Sequence, residues 1–125
     1  MLARFVFAAG LLVAGTGLAR ADGDAAEGAK GFKKCSVCHV VDKPQNRVGP
    51  SLLGVIGRPA GTVEGFKYSE AMKGSGIVWS AETLDAYIAD PKGYIPGNKM
   101  AFAGLKKPEE RADVIAYIIE ASAPK

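Results

Sequence analysis

The sequence predicts an all-α protein that forms a single domain. Three segments place apolar residues at the three- and four-residue spacing of an amphipathic helix, and few residues indicate β-strands. Residues 47–66 are dense in glycine and proline, which is typical of a loop. At 125 residues, with 48% hydrophobic and 23% charged residues, the chain has the size and composition of one globular domain.

The first predicted helix covers residues 25–34. Asp24 and Glu27 resemble a capping box, in which two side chains satisfy backbone N–H groups at the start of a helix. Gly28 and Phe32 share a face because they are four residues apart. A glycine on such a face allows another backbone to approach closely, so we expect the first and last helices to pack together.

The second predicted helix lies in the segment SAETLDAYIADP. Ser80 is its expected N-cap, and the helix is expected to stop near Pro91. Its predicted apolar face consists of Ala81, Leu84, Tyr87 and Ile88. A short helical turn is also predicted at residues 69–73.

The third predicted helix lies in the segment KKPEERADVIAYIIEASA. Pro108 in the first turn, followed by two acidic residues, is typical of a helix start. Its predicted apolar stripe consists of Val114, Tyr117, Ile118 and Ala121.

Residues 1–21 predict a secretory signal peptide. An arginine precedes an apolar run from Phe5 to Val13, and the segment closes on the small-x-small sequence Ala19-Arg20-Ala21. An uncleaved membrane anchor is disfavoured, because only about 15 apolar-leaning residues are available where a span needs roughly 20. We therefore expect cleavage after Ala21, a mature domain of residues 22–125, and a periplasmic location without stable membrane insertion.

The charge balance argues against a nucleic-acid-binding role. The chain has 16 basic and 13 acidic residues, and the leader contains two of the arginines and none of the acids. The net charge of +3 therefore falls to +1 in the mature domain. Such a small net charge gives little support to a general nucleic-acid-binding function.

The segment KKCSVCHVV contains both cysteines of the chain and its only histidine. A structural zinc site is excluded, because no second Cys/His pair exists to complete four ligands. A thioredoxin-like Cys-x-x-Cys would follow a strand, whereas this motif follows a helical segment. A disulfide between Cys35 and Cys38 would close only a small loop and would leave His39 unexplained.

Covalent haem attachment explains all three residues. In a helix the sulfurs of Cys35 and Cys38 project to one side, where they can reach two vinyl groups at one edge of a porphyrin. His39 then lies under the ring with its imidazole at the iron. The sequence predicts one haem c, held through two thioether bonds to Cys35 and Cys38, with His39 as an iron ligand.

The chain resembles the class I c-type cytochromes, close to the bacterial c2-type and mitochondrial cytochromes c. The resemblance covers residues 22–122, and the haem motif is joined by four further segments: GPSLLGVIGR, GFKYSEAMKGSGIVW, ADPKGYIPGNKMAFAG and ERADVIAYI. It implies the cytochrome c fold, in which three main helices and short turns wrap around one covalently bound haem.

The second axial position of the iron decides the function. An open position would favour a haem enzyme or a ligand sensor, whereas a thioether would leave electron transfer as the remaining task. Met72 lies in a short helical stretch, where packing is its expected role. Met100 lies in an irregular, glycine-flanked loop that can cover the ring, and PGNKM matches the ligand motif of the family. We therefore predict Met100 as the second ligand.

The resemblance implies roles for further residues around the haem. Pro50 would accept a hydrogen bond from the other nitrogen of His39. Tyr87 would lie near the methionine sulfur, and Phe102 at the haem edge. The implied propionate contacts are Arg58, Tyr68, Trp79 and Asn98. Two positions depart from the family: many relatives have a threonine at Asn98 and a buried asparagine at Met72.

The predicted function is one-electron transfer, not catalysis. Lysines near the haem motif and the methionine loop are expected to share the face of the exposed haem edge and to dock on acidic partner surfaces. They are Lys34, Lys92, Lys99, Lys106 and Lys107, with Arg47 as a possible addition. The acidic residues expected on the opposite, helix-packed side are Asp22, Asp24, Glu109, Glu110 and Asp113.

The resemblance also implies redox partners. The expected donor is a quinol-oxidising bc-type complex, and the expected acceptor is a terminal oxidase or a photosynthetic reaction centre, met by a monomeric carrier. Two alternatives remain open at this point. One is a haem enzyme or ligand sensor with an open iron, and the other is a dedicated redox subunit of a periplasmic dehydrogenase.

Overall fold

The computed structural model describes residues 23–125, so the predicted leader at residues 1–21 lies outside the described residues. The described part contains α1 (Ala25–Gly31), α2 (Lys33–Ser36), α3 (Glu70–Lys73), α4 (Ala81–Ala89), α5 (Pro91–Tyr94) and α6 (Pro108–Ala121). Within the described part, β-type backbone pairing is limited to one isolated antiparallel bridge between Pro59 and Val78. The all-α prediction is confirmed. Within residues 23–125, no helix has the length and apolar character needed to cross a membrane.

The helices α1 and α6 cross at Gly28, as the sequence predicts. A Cβ at Gly28 would overlap the carbonyl oxygen of Asp113 and would lie 2.9 Å from the Cβ of Tyr117. The rings of Phe32 and Tyr117 are in contact, with centroids 5.1 Å apart. The backbone N–H of Asp24 donates to Asp113 Oδ1 at 2.8 Å. The two ends of the described chain are therefore held together by contacts that only a glycine at the crossing permits.

The predicted capping box at the start of α1 forms only in part. Asp24 is the N-cap, and its carboxylate accepts from the backbone N–H groups of Ala26 and Glu27. The reciprocal bond from Glu27 to the Asp24 backbone is replaced, because Asp113 takes that N–H. The Glu27 carboxylate instead pairs with Lys30 at 3.0 Å. A contact between helices has thus displaced a contact within one helix.

A complete capping box stabilises α4. The Ser80 side chain accepts from the backbone of Thr83, and the Thr83 hydroxyl accepts from the backbone N–H of Ser80. The backbone N–H groups of Ser80 and Thr83 therefore both have acceptors. The buried residues of α4 are Leu84, Tyr87 and Ile88, which confirms most of the predicted face.

The helix α6 buries a wider face than the predicted stripe. Its buried residues are Val114, Ile115 and Ile118. Ile115 was not part of the predicted stripe, whereas Tyr117 and Ala121 belong to it and are only partly buried. The reason is that α6 packs against both α1 and α4. Arg111 of α6 joins the second partner by donating to Asp85 of α4 at 2.8 Å.

The predicted stop of α4 near Pro91 is confirmed, but a further helical turn, which the sequence did not predict, begins at Pro91. The helix α4 ends at Ala89, and the single turn of α5 begins directly afterwards. Pro91 occupies a first-turn position of α5, and the Asp90 side chain caps the new helix by accepting from the Gly93 N–H. This extra turn leads into the loop of residues 95–104, which contains Met100.

Candidate haem-binding site

A cavity of about 330 Å³ gathers nearly all of the predicted site residues. Cys35, Cys38 and His39 line it from α2 and the turn that follows, and Met100 lines it from the loop of residues 95–104. The other predicted residues on its wall are Pro50, Arg58, Tyr68, Trp79, Tyr87 and Phe102. Asn98 is the one predicted haem contact that does not line this cavity.

The haem motif continues the helical path beyond the end of α2. The backbone N–H groups of Cys38 and His39 both donate to the carbonyl oxygen of Cys35, at 3.0 and 2.9 Å. This turn brings both cysteines to the same cavity wall, and no disulfide joins them. Burial raises the pKa of the Cys35 thiol to about 11, an effect that the nearby Lys34 partly offsets.

The imidazole of His39 is held in one orientation. Its Nδ1 lies 2.8 Å from the carbonyl oxygen of Pro50. A carbonyl only accepts, so Nδ1 carries the proton and the lone pair of Nε2 is available to a metal. Burial lowers the pKa of His39, and the Pro50 hydrogen bond opposes that effect. The residue is therefore a neutral imidazole, which is the form that binds a metal.

Gly49 is a site residue that the sequence did not reveal. A Cβ at this position would overlap the His39 ring. The glycine is buried next to Pro50, so the same short segment supplies both the hydrogen bond and the space for the ring. A single sequence contains many glycines in loops, and nothing local distinguishes this one.

Met100 and Met72 both line the cavity, so its wall carries both candidate thioethers. Met72 belongs to the single turn of α3. Met100 lies between Gly97 and Gly104, whose φ angles are 90° and 109°. The hydroxyl of Tyr87 donates to Met100 Sδ at 3.8 Å, and burial raises the Tyr87 pKa to about 12, so this donor keeps its proton. The position that the resemblance implies for Tyr87 is therefore the observed one.

The amide of Asn98 bonds backbone groups on both sides of it. Its amide nitrogen donates to the carbonyl oxygens of Pro91 and Ile95, at 2.7 and 2.9 Å. Its amide oxygen accepts from the backbone N–H of Met100 at 2.9 Å. Both amide hydrogens thus bond backbone carbonyls, and the side chain links the Met100 backbone to the two ends of α5. The propionate contact stays a prediction.

The wall around Arg58 suits a cofactor that carries carboxylates. Arg58 is half-buried, and burial lowers its pKa. Its guanidinium donates to the Leu53 carbonyl, and no carboxylate of residues 23–125 forms an ion pair with it. The Tyr68 hydroxyl accepts from the Val63 N–H, which leaves its own proton available to an acceptor.

Thiol, imidazole and thioether side chains are the donors that hold a c-type haem. All three converge on this cavity, and its wall carries a cation that suits the haem carboxylates. The residues therefore fit this cofactor.

The predicted lysines divide into different environments. Lys34 and Lys99 line the rim of the cavity, and Lys67, which is not among the predicted docking lysines, lies there too. Lys34 pairs with Glu110 at 2.9 Å. Glu110 therefore lies beside this rim. The prediction that placed Glu110 on the opposite side of the molecule is wrong. The Lys106 ammonium bonds the carbonyl oxygens of Ala89 and Ala103. A face shared by Lys92 and Lys107 with the rim lysines stays a prediction.

The chain is similar throughout its described length to proteins of one family. The sequence model of the cytochrome c family matches residues 25–122. Cytochrome c 2.1 of Caenorhabditis briggsae is 57% identical over 104 residues, which are 82% of this chain and 93% of that protein. Cytochrome c2 of Blastochloris viridis is 49% identical over 116 residues, which are 92% of this chain and 91% of that protein.

A solved structure supports the same assignment. The cytochrome cH from Methylobacterium extorquens matches with a TM-score of 0.74 and 44% sequence identity, over 78% of this chain and 99% of that one. The matched residues include the cysteines, histidine and methionine that line the cavity. The chain therefore belongs to the cytochrome c family, whose members are electron carriers with a covalently bound haem c and not enzymes.

Proposed function

We propose that this protein is an exported, periplasmic one-electron carrier in which His39 and Met100 ligate the haem iron and Cys35 and Cys38 hold the porphyrin edge. When bound, the haem supplies a one-electron couple at its iron. The observation that carries the proposal is the convergence of two thiols, a neutral imidazole and a thioether on one cavity. The same ligand pair serves both oxidation states, so electron transfer needs little rearrangement.

The surroundings of the two axial residues support this role. Pro50 fixes the tautomer of His39, and Tyr87 donates to the sulfur of Met100. The buried side chains of Val55, Trp79 and Leu84 also line the cavity and give it an apolar wall. Arg58 and Tyr68 provide a cation and a free hydroxyl proton for the propionates.

Residues 1–21 act in this proposal as a cleaved leader, and residues 22–125 form the mature domain. The arginine, the apolar run from Phe5 to Val13 and the small-x-small sequence Ala19-Arg20-Ala21 support it. The bacterial relatives named cytochrome c2 and cytochrome cH agree with a bacterial carrier. The proposed donor is a quinol-oxidising bc-type complex, and the proposed acceptor is a terminal oxidase or a photosynthetic reaction centre.

The cations at the cavity rim are the proposed docking surface. Lys34, Lys67 and Lys99 line the rim, and all three side chains are exposed. Positive charge around the electron exit orients encounters with acidic partner surfaces and speeds association in a salt-dependent way. Glu110 reduces this charge at Lys34, so Lys67 and Lys99 contribute most of the attraction.

The absorption spectrum of the oxidised holoprotein tests the ligand assignment. We expect a charge-transfer band of the thioether–iron bond that is lost in Met100→Ala and retained in Met72→Ala. The second variant is the matched control, because it removes the other methionine side chain from the same cavity. Ready binding of carbon monoxide by the reduced, unsubstituted protein would contradict the proposal and indicate an open iron.

A further inference from the structure

Asn98 is the buried polar residue closest in sequence to the proposed methionine ligand. Only 6% of its surface is exposed, and its amide makes three hydrogen bonds, all to backbone groups. Two of these bonds reach the carbonyl oxygens of Pro91 and Ile95, at the two ends of α5. The third receives the N–H of Met100. One side chain therefore links the backbone of Met100 to a neighbouring helix.

The loop has few other ties at this point. From residue 99 to residue 104, no backbone hydrogen bond joins the loop to another element of the described chain, and the bond from Phe102 to Met100 is local. The next connection is the bond from the Leu105 N–H to the Ile88 carbonyl. Gly97 and Gly104, on either side of Met100, adopt positive φ angles. The loop is therefore built from turns and not from the repeated backbone hydrogen bonds of a helix or a sheet.

The two α5 carbonyl groups that the Asn98 amide bonds belong to buried residues. Pro91 is fully buried, and Ile95 is 3% exposed. Because the amide has two hydrogens and both are used, its orientation is fixed, and the oxygen is directed to the Met100 N–H. A threonine at this position has one hydroxyl and could not make all three bonds.

We propose that Asn98 is the positioning residue of the methionine ligand: its amide clamps the backbone of Met100 to α5 and thereby sets how easily an external ligand displaces the thioether. The inference rests on the proposed ligation by Met100 and adds a role that differs from a propionate contact. Loss of the amide frees the loop from α5 and, in Asn98→Ala, leaves the Met100 N–H without its acceptor in the closed loop, whereas an open loop exposes that N–H to water. Opening of the loop is therefore favoured by about tenfold or more.

Titration of the oxidised holoprotein with imidazole measures this opening. Imidazole competes with the thioether, so loss of the charge-transfer band reports displacement of Met100. We expect Asn98→Ala to bind imidazole about tenfold or more tightly than the unsubstituted protein. Asn46→Ala is the matched control. That amide also bridges two backbone groups, the Glu64 carbonyl and the Ser51 N–H, but it lies outside the methionine loop. We expect its imidazole affinity to change less than about twofold.

Asn98→Asp tests the same inference even if Asn98→Ala does not fold. Asn98→Asp retains the acceptor for the Met100 N–H but loses both donors to α5. We expect it to increase imidazole affinity as well, because the connection to the helix is broken. Unchanged imidazole affinity in either variant, or an equal increase in Asn46→Ala, would overturn the inference. Failure of the ligand assignment is distinguishable, because the band would then be missing from the unsubstituted protein.

Discussion

The position of His39 depends on the absence of a side chain at Gly49. The ring occupies the space in which a Cβ would lie, while its Nδ1 reaches the carbonyl of the next residue, Pro50. Space and hydrogen bond come from adjacent residues, so the ring cannot move away from a new methyl group and keep its bond. Gly49 therefore acts on the metal ligand although it has no chemistry of its own.

We expect Gly49→Ala to lower the free energy of unfolding of the holoprotein by about 1–3 kcal/mol, the usual cost of overpacking. Denaturant unfolding followed by circular dichroism measures this change. Gly74→Ala is a suitable control, because that glycine has an ordinary φ angle and its added Cβ would meet only the Glu70 carbonyl oxygen, at 3.3 Å. Equal losses of unfolding free energy in Gly49→Ala and Gly74→Ala would show that overlap with the His39 ring is not the cause.

Cysteine and histidine side chains with distinctive chemistry could be predicted from the sequence, whereas the roles of Asn98 and Gly49 could not. Cys35, Cys38 and His39 form a contiguous motif whose spacing implies its cofactor. Asn98 and Gly49 have no such pattern, because their roles depend on which backbone groups the fold brings near them. The resemblance alone placed Asn98 at a propionate. The bonds of its amide to the two ends of α5 could not be inferred from the sequence, because they depend on the position of that helical turn.

At the scale of elements, the crossing of α1 and α6 determines how the haem motif is supported. Gly28 lies against the backbone of α6, and Phe32, which leads into α2, contacts Tyr117. The motif begins three residues after Phe32, so its wall of the cavity is attached to the helix pair. Helix periodicity predicted this pair and the glycine between them. It could not predict α5, since a single turn is too short to show a period and depends on the Asp90 cap.

Gly28→Ala is expected to destabilise the holoprotein, against the ordinary effect of this substitution in a helix. Alanine is favoured over glycine in a helix by about 1 kcal/mol. At Gly28 the new methyl group would overlap the rigid carbonyl of Asp113, so we expect a net loss of about 1–3 kcal/mol in thermal or denaturant unfolding.

Gly31→Ala provides the comparison within the same helix. Its added Cβ would meet Val114 Cγ2 at 2.8 Å, and a side-chain methyl can shift more easily than a backbone carbonyl. We therefore expect a smaller loss than at Gly28. A Gly28→Ala protein that is as stable as the original would refute the close crossing as a structural requirement.

At the scale of the whole molecule, the cavity divides the core. Its lining extends along the chain from Lys34 to Phe102 and includes several buried core residues, among them Val55, Trp79, Leu84 and Tyr87. Helices α1 and α6 pack on each other, but the segments between them meet mainly around this space. The cofactor is therefore part of the core of the folded protein as well as its redox group.

A chain that cannot attach haem is expected to lose its folded structure. The cavity wall includes the buried side chains of Val55, Trp79 and Leu84, so a chain without haem exposes part of its apolar core to water. Domains are typically stable by only about 5–15 kcal/mol, so such a loss is large enough to unfold the chain. We expect the Cys35→Ser/Cys38→Ser double variant, isolated without haem, to lose most of its helical circular dichroism at 25 °C. Lys30→Ala, which removes an exposed ion pair, should keep both haem and helicity. A helical, cooperatively unfolding haem-free chain would contradict this expectation.

The bond between Asp24 and Asp113 joins residues that are 89 positions apart. Closing a loop of that length costs about 4 kcal/mol in chain entropy, and the contact cannot form before α6 has been made. Synthesis proceeds from the N-terminus, so the cysteines and histidine emerge when most of the chain is still to come. Until α6 arrives, no Glu110 is present to pair with Lys34, and Gly28 has no helix to cross. The order of the chain thus leaves the thiols accessible until α6 has formed and packed against α1.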